Sequence, residues 1–360
     1  MKQITDWLYE TAQAPGGLPA LPWWAWALAA ALAGTLAVFA YVSVVVLALT
    51  YAERKVSGHM QVRLGPMRVG WHGLLQPIAD AIKLLVKEDV VPARADKALF
   101  KLAPYLVMLG AFVPFAALPF SSRVYLAGMN AALFFVLSLS ALEVLGVIMA
   151  GWGSANKWSL YGGMRLALQM VSYEIPMGLS ALTVVAFTET LDLRRIVEQQ
   201  GPWPWGWFVF QSPFTFLAFI IFFLSGLAHT KRLPFDLPEA ESELVAGFHT
   251  EYSGMRFSFF FLAEYAAMYV ISAVTAALFL GGWAAPDLPL IPAGEGFVVF
   301  QLKTGALLFV MLWFRWTFPR LRIDQVMYIC LKVFLPFALA CLLGAALQAV
   351  TIGPLLEWFR

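Results

Sequence analysis

The sequence predicts an all-α integral membrane protein, with about eight transmembrane helices and an amphipathic surface helix in the first cytoplasmic loop. Three observations predict it. Of 360 residues, 61% are hydrophobic and only 13% are charged, which places the chain among multispanning membrane proteins. The apolar residues gather into runs of roughly the 20 residues that cross a bilayer core as helix; they are too long, and alternate too little, for barrel strands. Between the runs the cations alternate: 18 of the 24 Lys and Arg lie in the first, third, fifth and seventh connections.

The runs are Ala25–Leu49, Leu102–Phe120, Ala131–Gly151, Leu166–Phe187, Pro213–Ala228, Phe257–Gly282, Val298–Trp313 and Val333–Ile352. They read as a single membrane domain over residues 1–360, with cytoplasmic loops at about 50–101, 152–165, 229–256 and 314–332. The basic connections face the cytoplasm, so both termini lie on the periplasmic side of a bacterial inner membrane. The first apolar run starts late, after Pro15, Pro19 and Pro22, and is span-length, so it is no cleavable signal peptide. Cys330 and Cys341 lie about 16 Å apart along one helix. That is too far for a disulfide, and no Cys-x-x-Cys metal pattern is present.

In chain order, the first loop is basic and carries Gly58, Gly65, Pro66 and Gly70, residues of a tight, irregular backbone. Its arginines suit lipid phosphates or ordinary positive-inside charge. From Gln76 to Asp89, Ile78, Ala81, Ile82 and Leu85 recur at helical spacing, while Asp80, Lys83 and Lys87 take another face. This segment is too short and too charged to span, so it lies in the interface. The third span carries Glu143 and the sixth carries Glu264; a carboxylate at that depth is protonated, paired or wet. In the fourth span, Gln169 and Tyr173 are i, i+4 partners, Ser172 and Glu174 extend the polar surface, and Pro176 predicts a kink beside a polar pocket. The fourth loop is rich in Trp (Trp203, Trp205, Trp207), which suits interfacial anchoring.

The fifth loop stands apart. It runs Lys231-Arg232-Leu233-Pro234-Phe235-Asp236-Leu237-Pro238-Glu239-Ala240-Glu241-Ser242-Glu243 and on to Gly254, with Glu251 as its fifth carboxylate. Pro234 and Pro238 keep the first part from simple helix. Glu239, Glu241 and Glu243 sit two apart, so they share a side only if extended, and carboxylates so close raise one another's pKa. The seventh loop, Arg315 to Met327, supplies Arg315, Arg320 and Arg322 as partners for Asp324 and for this acidic loop.

No Gly-x-Gly-x-x-Gly follows a strand, and His59, His72, His229 and His249 include no mid-span pair to ligate a haem. Nothing suggests nucleic-acid binding. Electrons for any redox role therefore come from a partner subunit.

The stretch from Pro234 to Gly254 resembles the signature loop of the quinone-site membrane subunit (the H subunit) of proton-pumping NADH:quinone oxidoreductase, respiratory complex I. Val56–Gly70, Ser172-Tyr173-Glu174-Ile175, Phe318-Pro319-Arg320 and Asp324-Gln325 resemble that family too, so the likeness covers four cytoplasmic loops in order. The resemblance implies a non-redox subunit, not catalytic alone, that forms the membrane part of a quinone chamber and couples quinone reduction to proton translocation. It implies a chamber and partner-docking set of Glu53, Arg54, Gly58, Gln61, Arg63, Pro66, Arg68, Lys157, Arg232, Phe235, Arg315, Arg320, Arg322 and Asp324. It implies a proton path through Glu143, Glu174, Tyr173, Asp236, Glu239, Glu241, Glu243, Glu251 and Glu264. Ubiquinone or menaquinone is the implied substrate. Flavin and iron–sulfur clusters sit on hydrophilic peripheral-arm subunits; other membrane-arm subunits and lipid complete the partners. The chain departs from the family at Met67, His229 and Lys231, where Asn, Glu and Asn are more usual, although His229 can itself titrate. Two other readings use the same residues: the equivalent subunit of a membrane-bound hydrogenase-type complex, and a stand-alone ion-coupled transporter.

Overall fold

A computed structural model describes residues 23–285 and 296–358; the side chains of Trp23, Glu241, Ser242 and residues from 352 on are outside that description. Pro15, Pro19 and Pro22, on which the reading of the N terminus rests, also lie outside the described residues.

The spanning helices are α1 (Trp23–Met60), α3 (Lys97–Phe112), α4 (Ala132–Gly153), α5 (Lys157–Thr188), α6 (Pro213–His229), α7 (Gly254–Phe279), α8 (Phe297–Thr317) and α9. The last starts at Ile323–Tyr328, passes through a π-helical turn (Ile329–Phe334) and continues as Leu335–Trp358. The surface helix α2 (Gln76–Val86) lies between α1 and α3. Seven of these helices are long and apolar enough to cross a membrane, and α6, with 17 residues, is the shorter eighth.

Local chemistry sets the ends. The Asp96 carboxylate accepts from the Ala98 and Leu99 amides to start α3, and Asn156 accepts from Trp158 N at 2.9 Å to start α5. α3 tightens into a 3-10 turn at Val113–Ala117, with Pro114 near its start. It is shorter at this end than the apolar run predicts. α1 is longer than predicted. No Gly or Pro interrupts Tyr51 to Ser57, so the helix runs past the apolar stretch and brings Glu53, Arg54 and Gly58 onto its last turns rather than into a loop. α5 runs unbroken through Pro176.

α7 forms the centre: 72% of its apolar window is buried against other helices, compared with 11% for α1. The first, third, fifth and seventh connections pack together at one face. Arg256 pairs with Asp89 at 3.1 Å, Arg165 with Glu243 at 2.5 Å, Tyr252 Oη donates to Phe100 O at 3.1 Å, and Leu321 N donates to Pro234 O at 3.1 Å. At the other end Gln200 Nε2 donates to Ala277 O at 2.8 Å, and Lys303 Nζ to Leu280 O at 2.7 Å. Trp203 and Trp205 stack there, half to three-quarters exposed. The apolar side of α2 is uncovered, with Ile78 43%, Ile82 55% and Leu85 60% exposed, as an interfacial helix requires. Cys330 and Cys341 are free and buried.

Candidate functional site

A cavity of about 440 Å³ opens at the packed face, between the end of α1, the turn after it, α7 and the end of α8. Glu53, Arg54, Gly58, Arg63, Pro66 and Arg315, all expected chamber residues, line it together with Thr50, Ser57, Leu64, Gly65, Phe261, Tyr265 and Trp316. The glycines make the turn possible: a Cβ on Gly58 would lie 2.9 Å from Gly65 N. The Arg54 guanidinium is ion-paired to Asp80 on α2, which ties the surface helix to the cavity rim.

Glu53 organises the inner wall. Its Oε1 takes Arg232 Nη1 at 2.8 Å and also Arg315 Nη1, and its Oε2 accepts from Tyr265 Oη at 2.6 Å. Arg232 continues to Glu264 at 2.7 Å and stacks its guanidinium 4.5 Å from the Tyr265 ring centroid. Arg232 thus backs the cavity and does not line it. Phe235 is also displaced from the expected set: it is a buried core residue whose carbonyl accepts from Gln169 Nε2 at 3.0 Å.

A second cluster lies deeper. Glu143 on α4 pairs with Lys231 Nζ at 3.0 Å and faces His229 Nε2 at 3.7 Å. His229 Nδ1 meets Tyr173 Oη at 3.0 Å. Each of these side chains is at least nine-tenths buried. The polar pocket therefore forms around Glu143, where the sequence pointed to Glu174. Glu174 is half-buried on another side of α5, with Ser140 Oγ at 3.4 Å, because five residues of helix turn it away from Gln169.

The acidic loop disperses its charges. Glu241–Leu244 forms one helical turn; the Glu241 side chain lies outside the described residues. Glu239 turns inward to His249 Nε2 at 3.2 Å, Glu243 meets Arg165, and Glu251 accepts from Asn156 Nδ2 at 2.5 Å. Burial acts to raise Glu239, but His249, Lys231 and Arg232 outweigh it and hold the carboxyl below its usual range. Asp236 goes the other way. Burial, with the Glu239 carboxylate, pushes it up to about 6, although Arg320 at 2.9 Å opposes the shift. Gly247 closes this loop at φ +53, where a Cβ would lie 1.8 Å from Pro238 O.

Gln61, Arg68, Lys157, Arg322 and Asp324 are exposed on the packed face, outside the cavity. Among the described residues no three His, Cys, Asp or Glu side chains come together to hold a metal ion. Sequence reasoning left out Tyr265, Lys231 and His229 as site residues. Tyr265 had a signal in its adjacency to Glu264. Lys231 and His229 stood out as departures from the family, but their partner, Glu143, is on a distant helix.

A family model described as NADH dehydrogenase matches residues 33–346. The chain is 48% identical to the NADH-quinone oxidoreductase H subunit of Chlorobium luteolum, over 84% of this chain and 84% of that one. It is 47% identical to the NADH-quinone oxidoreductase H 1 subunit of Geobacter sulfurreducens, over 86% and 91%. It is 49% identical to the NADH-quinone oxidoreductase H 2 subunit of Rhizobium meliloti, over 82% and 89%.

Proposed function

Because this chain belongs to the NADH dehydrogenase family, together with the H subunits of NADH-quinone oxidoreductase, we infer that it is that enzyme's membrane subunit, coupling quinone reduction to proton translocation. The cavity beneath Glu53 carries the reading. Its volume falls in the range of small-molecule sites, roughly 300–1,000 Å³. Leu64, Phe261 and Trp316 give it apolar wall, as a lipidic quinone needs. Arg54, Arg63 and Arg315, each with N–H groups to spare beyond its ion pairs, supply donors suited to carbonyl oxygens. The chain contributes this membrane part of the chamber and is not catalytic alone. Flavin and iron–sulfur partners bring the electrons, and the exposed Arg68, Lys157 and Arg322 form a basic docking face for them, with Gln61 and Asp324 beside it.

The proton path starts at Asp236, Glu239, Glu241, Glu243 and Glu251 and continues through Glu264, Glu143, Tyr173 and Glu174. The burial of Glu143 and Glu264 in ion pairs with the adjacent Lys231 and Arg232 supports a place for both in it. Residues 1–360 act as one membrane domain in a bacterial inner membrane, with basic loops inside and both termini in the periplasm. The relatives' names lend no support to a hydrogenase-type assembly or a stand-alone transporter. Purification of the tagged chain from its own membranes tests the reading. Co-purifying flavin and iron–sulfur subunits with inhibitor-sensitive NADH:quinone activity are expected. A nickel hydrogenase in their place, or a chain without partners or redox activity, would overturn it. Glu174→Gln lowers proton pumping in that complex; unchanged quinone reduction and pumping would remove Glu174 from the path.

A further inference from the structure

Two adjacent residues face opposite clusters. Lys231 and Arg232 are both 4% exposed. Arg232 turns to Glu53 and Glu264 beside the cavity. Lys231 turns to Glu143 at 3.0 Å, with its ammonium 5.3 Å from the Phe248 ring centroid. The chain achieves this by placing Lys231 at φ +55, a left-handed conformation uncommon for a side-chain-bearing residue and held only by its surroundings. The segment is fastened on both sides by one amide: Gln169 Nε2 donates to Ala228 O at 2.8 Å and to Phe235 O at 3.0 Å. One short piece of backbone therefore carries a cation for each cluster.

We propose that Lys231 is a positioning residue that carries charge changes in the cavity to Glu143, by advancing to it or withdrawing from it as Arg232 follows the cavity's charge. The inference rests on the quinone-chamber reading above. Reduction converts the two quinone carbonyls to hydroxyls with two electrons from an iron–sulfur partner and two protons from the surrounding acids. While electrons precede protons, negative charge beside Arg315 and Glu53 draws the Arg232 guanidinium toward the cavity. As Arg232 leaves Glu264, that carboxylate, which also acts on Lys231, draws the Lys231 ammonium away from Glu143. A carboxylate left without its counter-charge in low dielectric takes up a proton, and His229, with Tyr173 behind it, stands beside Glu143 to pass one. When quinol forms and the charge disappears, Arg232 returns to Glu53, Lys231 returns to Glu143, and the proton is expelled. The groups acting on the ammonium are Glu143, Glu239, Glu264 and His229. Although burial opposes its charge, the three carboxylates hold Lys231 protonated, above its usual range.

The test uses the assembled complex in proteoliposomes, reading protons moved per quinone reduced. Lys231→Gln keeps quinone reduction while the ratio falls about fivefold or more, the size of a typical intersite coupling. Lys231→Arg restores most of the ratio. Glu143→Gln uncouples alike, and adding Lys231→Gln to it changes nothing further. Normal pumping in Lys231→Gln alongside an uncoupled Glu143→Gln overturns this inference alone; normal pumping in Glu143→Gln overturns the proton-path reading itself. A measurement on the unmodified complex guards against variants that fail to assemble. Infrared difference spectra of that complex on quinone reduction are expected to show a protonated-carboxyl band. A spectrum with no carboxyl change would overturn the proposal.

Discussion

Replacing Arg232 with Gln removes the cation that two buried carboxylates share. The Arg232 side chain is 5% exposed, and its partners Glu53 and Glu264 are 9% and 11% exposed. Breaking such a pair from one side costs about 3–5 kcal/mol, because the remaining charge keeps its desolvation penalty and loses its attraction. The two acids do not suffer equally. Glu53 retains Arg315 and the Tyr265 hydroxyl, whereas among the described residues Glu264 has no second ion pair. Most of the loss therefore falls on Glu264, and adding Glu264→Gln should return about 1–3 kcal/mol of it. The assay is thermal inactivation of quinone reductase activity in the detergent-purified complex. Where the loss falls on the unfolding barrier, about 3 kcal/mol accelerates inactivation on the order of a hundredfold. Single-variant inactivation at the wild-type rate, or a double variant no slower than the single, would refute the assignment of Glu264 as the stranded charge.

Two further outcomes are expected. The raised Asp236 carboxyl means that the folded state favours its protonated form, so this contribution is full below the unfolded value near 3.8 and lost as pH rises through about 6. Its size is about 2–3 kcal/mol, and Asp236→Asn should flatten that part of the stability–pH curve, measured by urea unfolding of the complex; an unchanged curve would remove Asp236 as the cause. Gly247→Ala should abolish assembly, since its Cβ would meet Pro238 O at 1.8 Å, whereas Gly178→Ala, with nothing within 4 Å, should leave assembly intact; native gels of solubilised membranes compare the two.

The sequence made legible what depends on composition and period. Among the described residues, the apolar runs located the seven helices long and apolar enough to cross a membrane and the shorter α6, and the basic connections named the face where the cavity forms. The acids at membrane depth were visible because a carboxylate in an apolar run is costly enough to need a reason. Their partners were not visible, because they lie on other elements: Lys231 is 88 residues from Glu143, and Arg315 is 262 residues from Glu53. Glu174 outranked Glu143 in the sequence because Tyr173, Ser172 and Pro176 surround it in the chain; in space, helix phase turns it aside. The end of α1 was missed for a related reason. Apolar runs report where a helix meets lipid, while the helix itself continues through Glu53, Arg54 and Lys55, residues that sustain it without apolar contact.

Helix α1 has 38 residues, a rod about 57 Å long, while the hydrocarbon core is about 30 Å thick. Most of its length is left uncovered by the rest of the described chain, and its last turns hold Glu53 and Ser57 in the cavity wall. A helix longer than the local membrane answers a change in thickness by tilting. In a thinner bilayer this rod leans further, and Glu53 changes height against Tyr265 on the firmly packed α7. Bilayer thickness therefore bears on where the end of this long helix holds Glu53 in the cavity wall.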